Sequence, residues 1–284
     1  MRRSGEAAVV PLRSVLIRVE PTKSGKDIKE TGMEKQISLA GKRGDLRCLL
    51  FEPECSASIP HRGSFLFLPG MPGTDRNEDI AADLMRQGFR VLCLSYSGSC
   101  GSAGSYSIQH MLEDSETAYR FLRDSDPEGV SILGHSLGGF VCAQTAARHP
   151  ETRSAVLLFP CDIGRLPVWD WEAFMTAYVV KEFIGSHTGS LVGTHPDTLL
   201  AEIYSNADNY SFTQLAPALS RVPVLMIGGT KDYYAPPALN CRPLLESIQR
   251  IPDNRVLYQE FDTGHYGAEC RGMISYTILR FLGV

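Results

Sequence analysis

Short apolar runs rich in β-branched residues alternate with amphipathic stretches along this chain. Together they predict an α/β fold, a doubly wound and mostly parallel sheet of eight strands interrupted by one insertion. Three observations carry that expectation. Residues 64–68 and 130–133 are apolar almost throughout, as strands covered on both faces are. Residues 108–122 set Met111, Leu112, Ala118, Tyr119 and Leu122 mostly on one helical face. Dense turn signals such as Pro69-Gly70-Met71-Pro72-Gly73 close the runs.

In chain order, residues 1–33 read as an N-terminal extension with one short candidate strand at 15–19. From Glu34 a hairpin is expected: Ile37 and Leu39 alternate with polar neighbours, residues 41–44 turn, and 46–51 continue. Strands follow at 64–68, 90–95, 130–133, 155–159, 222–227 and 255–261. Helices are expected near 80–87, 108–122, 140–148, 239–248 and 273–282. The rhythm breaks only at 160–219, which is read as an insertion. Residues 34–159 and 220–284 then form one core, and no internal repeat is present.

Composition narrows the class. At 43% hydrophobic and 21% charged residues the chain reads as a soluble globular protein with a sizeable core. A net charge of -4 leaves no footprint for nucleic acid or anionic membrane. No apolar run is long enough to span a bilayer. Met1-Arg2-Arg3 is followed by polar residues instead of an apolar h-region, so a cytoplasmic location is expected. The eight cysteines form no C-x-x-C pair, and Cys48, Cys93 and Cys142 lie within apolar runs. Free buried thiols are therefore expected over a disulfide framework. The seven histidines show no metal-ligand spacing, and neither a metal nor a cofactor is expected.

The chemistry is concentrated at Gly134-His135-Ser136-Leu137-Gly138, a G-x-S-x-G pattern between a strand and a helix. A serine on so sharp a turn needs neighbours without Cβ atoms, since other chain must pass close on both sides. In parallel sheets, sites lie beyond the carboxyl ends of the strands. Ser136 follows its strand, Asp232 follows the strand at 222–227, and His265 follows the strand at 255–261. A hydroxyl needs a base to take its proton, and the base needs an acid to fix its tautomer. Asp162, after the strand at 155–159, is the other candidate acid. His135 is read as a core or wall residue and not as a proton carrier.

The elbow motif, the order Ser136, Asp232, His265 and the strand–helix alternation resemble the α/β-hydrolase superfamily over residues 34–284. The loop Ser95–Ser105 is similar to a D-x-R-G-x-G-x-S loop of relatives, with serine and tyrosine replacing its acid and base. The resemblance implies an oxyanion hole made by the backbone N–H groups of Leu137 and Met71. Pro69 stands where relatives commonly have histidine, and Pro72 has no N–H to give. It also implies that 160–219 caps the site. Trp169, Trp171, Phe174 and Tyr178 are the candidates there for an apolar or aryl pocket, although a core role for most of them is the competing reading.

The expected activity is a carboxylesterase-like serine hydrolase acting on a small-molecule acyl substrate through an acyl-enzyme. A prolyl-oligopeptidase-like peptidase or amidase and an acyl thioesterase or acyltransferase are the alternatives within the class. A non-catalytic ligand-binding protein on the same fold is the alternative outside it.

Overall fold

The computed structural model describes residues 32–284; the strand expected at 15–19 lies outside the described residues. The strands are β1 (Gly32–Gly41), β2 (Gly44–Pro53), β3 (Ser64–Leu68), β4 (Arg90–Leu94), β5 (Val130–His135), β6 (Ala155–Leu158), β7 (Val224–Gly229) and β8 (Val256–Phe261). They make one sheet in the order β1-β2-β4-β3-β5-β6-β7-β8. β1 and β2 form the antiparallel hairpin, with Gly41 opposite Gly44, and β2 runs antiparallel to β4. Every pairing from β4 through β8 is parallel.

The helices are α1 (Glu78–Arg86), α2 (Ile108–Ser125), α3 (Leu137–Arg148), α4 (Leu166–Glu172), α5 (Phe174–His187), α6 (Pro196–Ser205), α7 (Ala207–Tyr210), α8 (Phe212–Leu219), α9 (Pro237–Asn240), α10 (Arg242–Gln249) and α11 (Arg271–Leu282). Strand pleating sorts side chains between two cores. Leu66 and Leu68 of β3 pack with residues of α2, α3, α8 and α10. Phe65 and Phe67 of the same strand pack with α1 and α11 on the other face. Coverage on both faces is why these strands read as unbroken apolar runs.

Most boundaries differ from the sequence reading by one to three residues, and four differences bear on the layers around the site. β6 stops before Phe159, which takes φ 45° and leaves the ladder. α3 begins at Leu137, directly after the elbow serine and not at 140. The helix expected at 239–248 is two helices, because Pro243 has no N–H to continue the first and sits in the opening turn of the second. Finally, α8 falls inside 160–219 yet packs on α3 and α10, its Phe212 ring stacked over Phe140 at 6.5 Å. It covers the sheet as the last helix before β7.

Two glycine substitutions test this geometry in opposite directions. A Cβ on Gly138 would overlap the Leu68 carbonyl oxygen, so Gly138→Ala must push β3 and α3 apart. A loss on the order of 4 kcal/mol or more is expected. Gly185 lies inside α5, and an added methyl there would meet open space, so Gly185→Ala should stabilise by about 0.5–1 kcal/mol. Thermal unfolding followed by circular dichroism checks both signs.

Candidate active site

Ser136 is the residue between β5 and α3, with φ 56° and ψ −121°. A non-glycine residue in that region is strained, by about 1–3 kcal/mol, and persists only where surroundings over-determine it. Here they do. The Ser136 N–H donates to Leu158 C=O, and its own carbonyl accepts from both Gly139 and Cys161. A Cβ on Gly134 would overlap the Gly138 carbonyl, and one on Gly70 would meet the Ser136 Cβ at 2.9 Å. The glycines of the motif are thus required by close approach, as their spacing predicts.

The turns after β5, β7 and β8 bring Ser136, Asp232 and His265 together. His265 Nδ1 lies 2.7 Å from Asp232 Oδ2, and His265 Nε2 lies 2.8 Å from Ser136 Oγ. The carboxylate can only accept, so Nδ1 carries the proton and Nε2 is left to accept from the serine hydroxyl. Asp232 Oδ1 takes the N–H groups of Tyr234 and Ala235 at 2.9 and 2.8 Å, which fixes the carboxylate from its other side. The acid and base loops are also joined directly. Thr230 N–H donates to Phe261 C=O, Lys231 N–H donates to Thr263 C=O, and Lys231 Nζ pairs with Asp262 at 2.8 Å.

His135 is buried beside them and lies in contact with His265, its Nε2 3.0 Å from the His265 carbonyl oxygen. Nε2 therefore carries the proton and donates. Burial, followed by the neighbouring His265, pushes its pKa down to about 4, so it is a neutral strut between elbow and base loop.

Above the serine lies a narrow cavity of about 50 Å³. Met71 and Leu137, the residues expected to supply oxyanion donors, are in its wall with Ser136 and His265. The loop bearing Met71 is held by Ser99 Oγ, which donates to Pro72 C=O at 2.6 Å. The remaining wall is apolar: Val180, Phe183 and Ile184 from α5, Leu199 and Ile203 from α6, and Ile108 from α2, with Cys161, Ile163 and Tyr234 completing it.

The four aromatic residues expected from sequence to form this pocket are not in its wall. Trp169 is fully buried in the core, whereas Trp171 is 91% exposed and Phe174 and Tyr178 are more than half exposed. The helix breaks at Ala173, so Trp171 closes α4 while Phe174, Met175 and Tyr178 lie on the outer side of α5. The inner face carries the apolar repeat Val180, Phe183, Ile184, and Leu199 with Ile203 repeats it on α6. That i, i+3, i+4 pattern was the signal available in the sequence. Asp170 and Glu172 also point elsewhere, paired with Lys181 at 2.7 Å and Arg165 at 3.8 Å. Among the described residues, no group of three or more His, Cys, Asp or Glu is placed to hold a metal ion. No helix among them is long and apolar enough to cross a membrane.

Strand order, elbow and the three convergent loops define a class: a protein of the α/β-hydrolase fold. Comparison with known proteins agrees. A family model described as the alpha/beta hydrolase fold matches residues 63–182. A protein of Mycobacterium phage D29 named as a putative non-heme haloperoxidase is 32% identical over 89 residues, 31% of this chain and 32% of that protein. Among solved structures, an esterase of Pyrococcus furiosus superposes with TM-score 0.62 at 14% identity, covering 93% of this chain and 96% of the other. A Pyrococcus horikoshii acylaminoacyl peptidase gives 0.67 at 14% identity, and a Mycobacterium tuberculosis puromycin-hydrolyzing peptidase gives 0.66 at 18%. They are matched over 90% and 91% of this chain but only 42% and 40% of theirs.

Asp162, the second candidate acid, is not brought to His265. Its Oδ1 accepts the Phe212 N–H at 3.1 Å, and its Oδ2 is buried without a partner. Burial raises its pKa from 3.8 to about 7. The folded chain thus binds a proton that the unfolded chain releases between those values, and stability falls as pH rises from about 4 to 7. Asp162→Asn removes the buried charge while keeping an acceptor oxygen for Phe212. Its Tm should exceed the wild type at pH 8 and match it closely near pH 4, measured by differential scanning fluorimetry in matched buffers.

Proposed function

We propose that this protein is a serine hydrolase that cleaves carboxylic esters with apolar acyl groups through an acyl-enzyme. The observation that carries the reading is the unbroken chain from Asp232 Oδ2 through His265 to Ser136 Oγ, at 2.7 and 2.8 Å, opening onto an apolar cavity. Ser136 Oγ attacks the carbonyl carbon while its proton passes to His265 Nε2. Asp232 holds the imidazole and stabilises the imidazolium that results. The carbonyl oxygen becomes an oxyanion, for which the Leu137 and Met71 amides are the donors of choice, each worth roughly 10²–10³ in rate. Collapse breaks the bond to the alcohol oxygen, which leaves with the proton from His265. Water then repeats the sequence, releasing the acid and restoring Ser136.

The acyl assignment follows from the cavity wall, where His265 is the only titratable side chain besides Tyr234 and Cys161. Each buried methylene contributes about 0.8 kcal/mol, so an aliphatic chain gains there and a charged group loses. In this reading the helices α4–α7 form the cap over the site.

A fluorophosphonate probe should label the wild type and leave Ser136→Ala unlabelled. Asp232→Asn should keep the fold and lose on the order of 10⁴ in kcat, because the wrong tautomer is favoured. p-Nitrophenyl esters of rising chain length should turn over faster than aminoacyl amides or acyl thioesters. Faster amide turnover would sink the ester assignment, and an unlabelled wild type would sink the enzyme.

A further inference from the structure

One carboxylate of the cap reaches across to the core and has no part in the chemistry above. Glu202, on α6, places Oε1 2.7 Å from the Gln109 N–H and Oε2 3.0 Å from the Ile108 N–H. These are the first two amides of α2, which have no acceptor within their own helix. They also form the positive end of an eighteen-residue helix, where a carboxylate is favoured. Ser107 Oγ takes the next free donor, the His110 N–H, at 3.1 Å. The sequence signals this cap through Ser107 but gives no hint that a residue so distant completes it.

What the clasp joins is specific. Ile108, whose amide it holds, lines the cavity, and so do Leu199 and Ile203 on the same helix as Glu202. A second tie lies close by: Val192 N–H donates to Gly98 C=O, and Tyr106 N–H donates to Val192 C=O, both at 2.9 Å. The chain entering α6 is therefore sutured to the loop entering α2. Within the cap, Asp170 is bonded to both Lys181 of α5 and Tyr204 of α6, so those two helices are coupled as well. The only charge-assisted contact from α6 to α2 among the described residues is that of Glu202.

We propose that Glu202 is a specificity-determining positioning residue: by clasping the N-terminus of α2 it fixes the Ile108–Leu199–Ile203 wall and thereby selects the length of the acyl chain. The inference rests on the esterase reading. A two-carbon acyl group ends near the serine and makes few contacts with this wall. An eight-carbon chain is ordered only if the wall is. Loosening α6 therefore penalises long esters more than short ones, while leaving the Ser136–His265–Asp232 loops, which are tied to each other, in place.

The test uses the full chain with Glu202→Ala and Glu202→Gln. In the alanine variant the ratio of kcat/KM for p-nitrophenyl octanoate to that for the acetate should fall at least tenfold, mainly through KM. Glutamine, which keeps a neutral acceptor, should fall between it and the wild type. Hydrogen exchange of peptides spanning 106–112 and 196–205 should quicken at least tenfold in the alanine variant, and fluorophosphonate labelling reports the triad separately. Unaltered exchange overturns the clasp. Faster exchange with an unaltered octanoate-to-acetate ratio overturns its role in specificity, as does a parallel loss on all esters. A wild type that is labelled and turns over no ester defeats the esterase reading instead, and leaves the exchange result to judge the clasp by itself.

Discussion

Everything at this site depends on how closely three pieces of backbone pass one another at the elbow. Gly138 lies against the Leu68 carbonyl, Gly134 against the Gly138 carbonyl, and Gly70 against Ser136 itself. Any side chain at those points would force β3, β5 and α3 apart. Once they are in contact, Ser136 has no room for ordinary backbone angles and is held at φ 56°. The same contact brings the turn after β3 beside the start of α3, so Met71 and Leu137 share a cavity wall with the serine. The proposed nucleophile and the proposed oxyanion donors are thus placed by one steric contact.

The loops carrying His265 and Asp232 depend on a different device. β7 and β8 are neighbours at the edge of the sheet, and their following loops exchange backbone hydrogen bonds and an ion pair. Nothing in that pair of loops requires the elbow. The link is His135, one residue before the serine, which donates to the backbone of His265. Because burial keeps its imidazole neutral, it places no second positive charge beside the histidine that the proposed mechanism makes cationic. An orphan Nδ1 is the cost of that arrangement.

How much of this could be read from the sequence divides along physical lines. The sheet was legible because strands covered on both faces leave continuous apolar runs, and the elbow because steric closeness admits only glycine. Ser136, Asp232 and His265 were legible because each follows a strand. Helix limits were less so: Pro243 splits one expected helix, and Phe159 ends a strand through an angle its composition does not suggest. The cavity wall was not legible from aromatic content, because a ring packs as readily into a core or against a cap's outer surface as into a pocket. Trp171 is on the solvent side of α4, and Trp169 is within the core.

The same line separates the tasks within the molecule. Ser136, Asp232 and His265 come from loops whose positions follow from the sheet, and the sheet is set by short-range rules of pleat and turn. Residues that would recognise an acyl chain come from α2, α5 and α6, and their facing depends on contacts between positions far apart in sequence. Glu202 and Ile108 are one such pair, 94 positions apart in the chain. Periodicity can say that α6 has an apolar face carrying Leu199 and Ile203. It cannot say which way that face turns until a contact such as the Glu202 clasp sets it. The three convergent loops are therefore local and readable, whereas the cavity wall is a property of packing, and in the proposed reading a single carboxylate outside the cavity sets it.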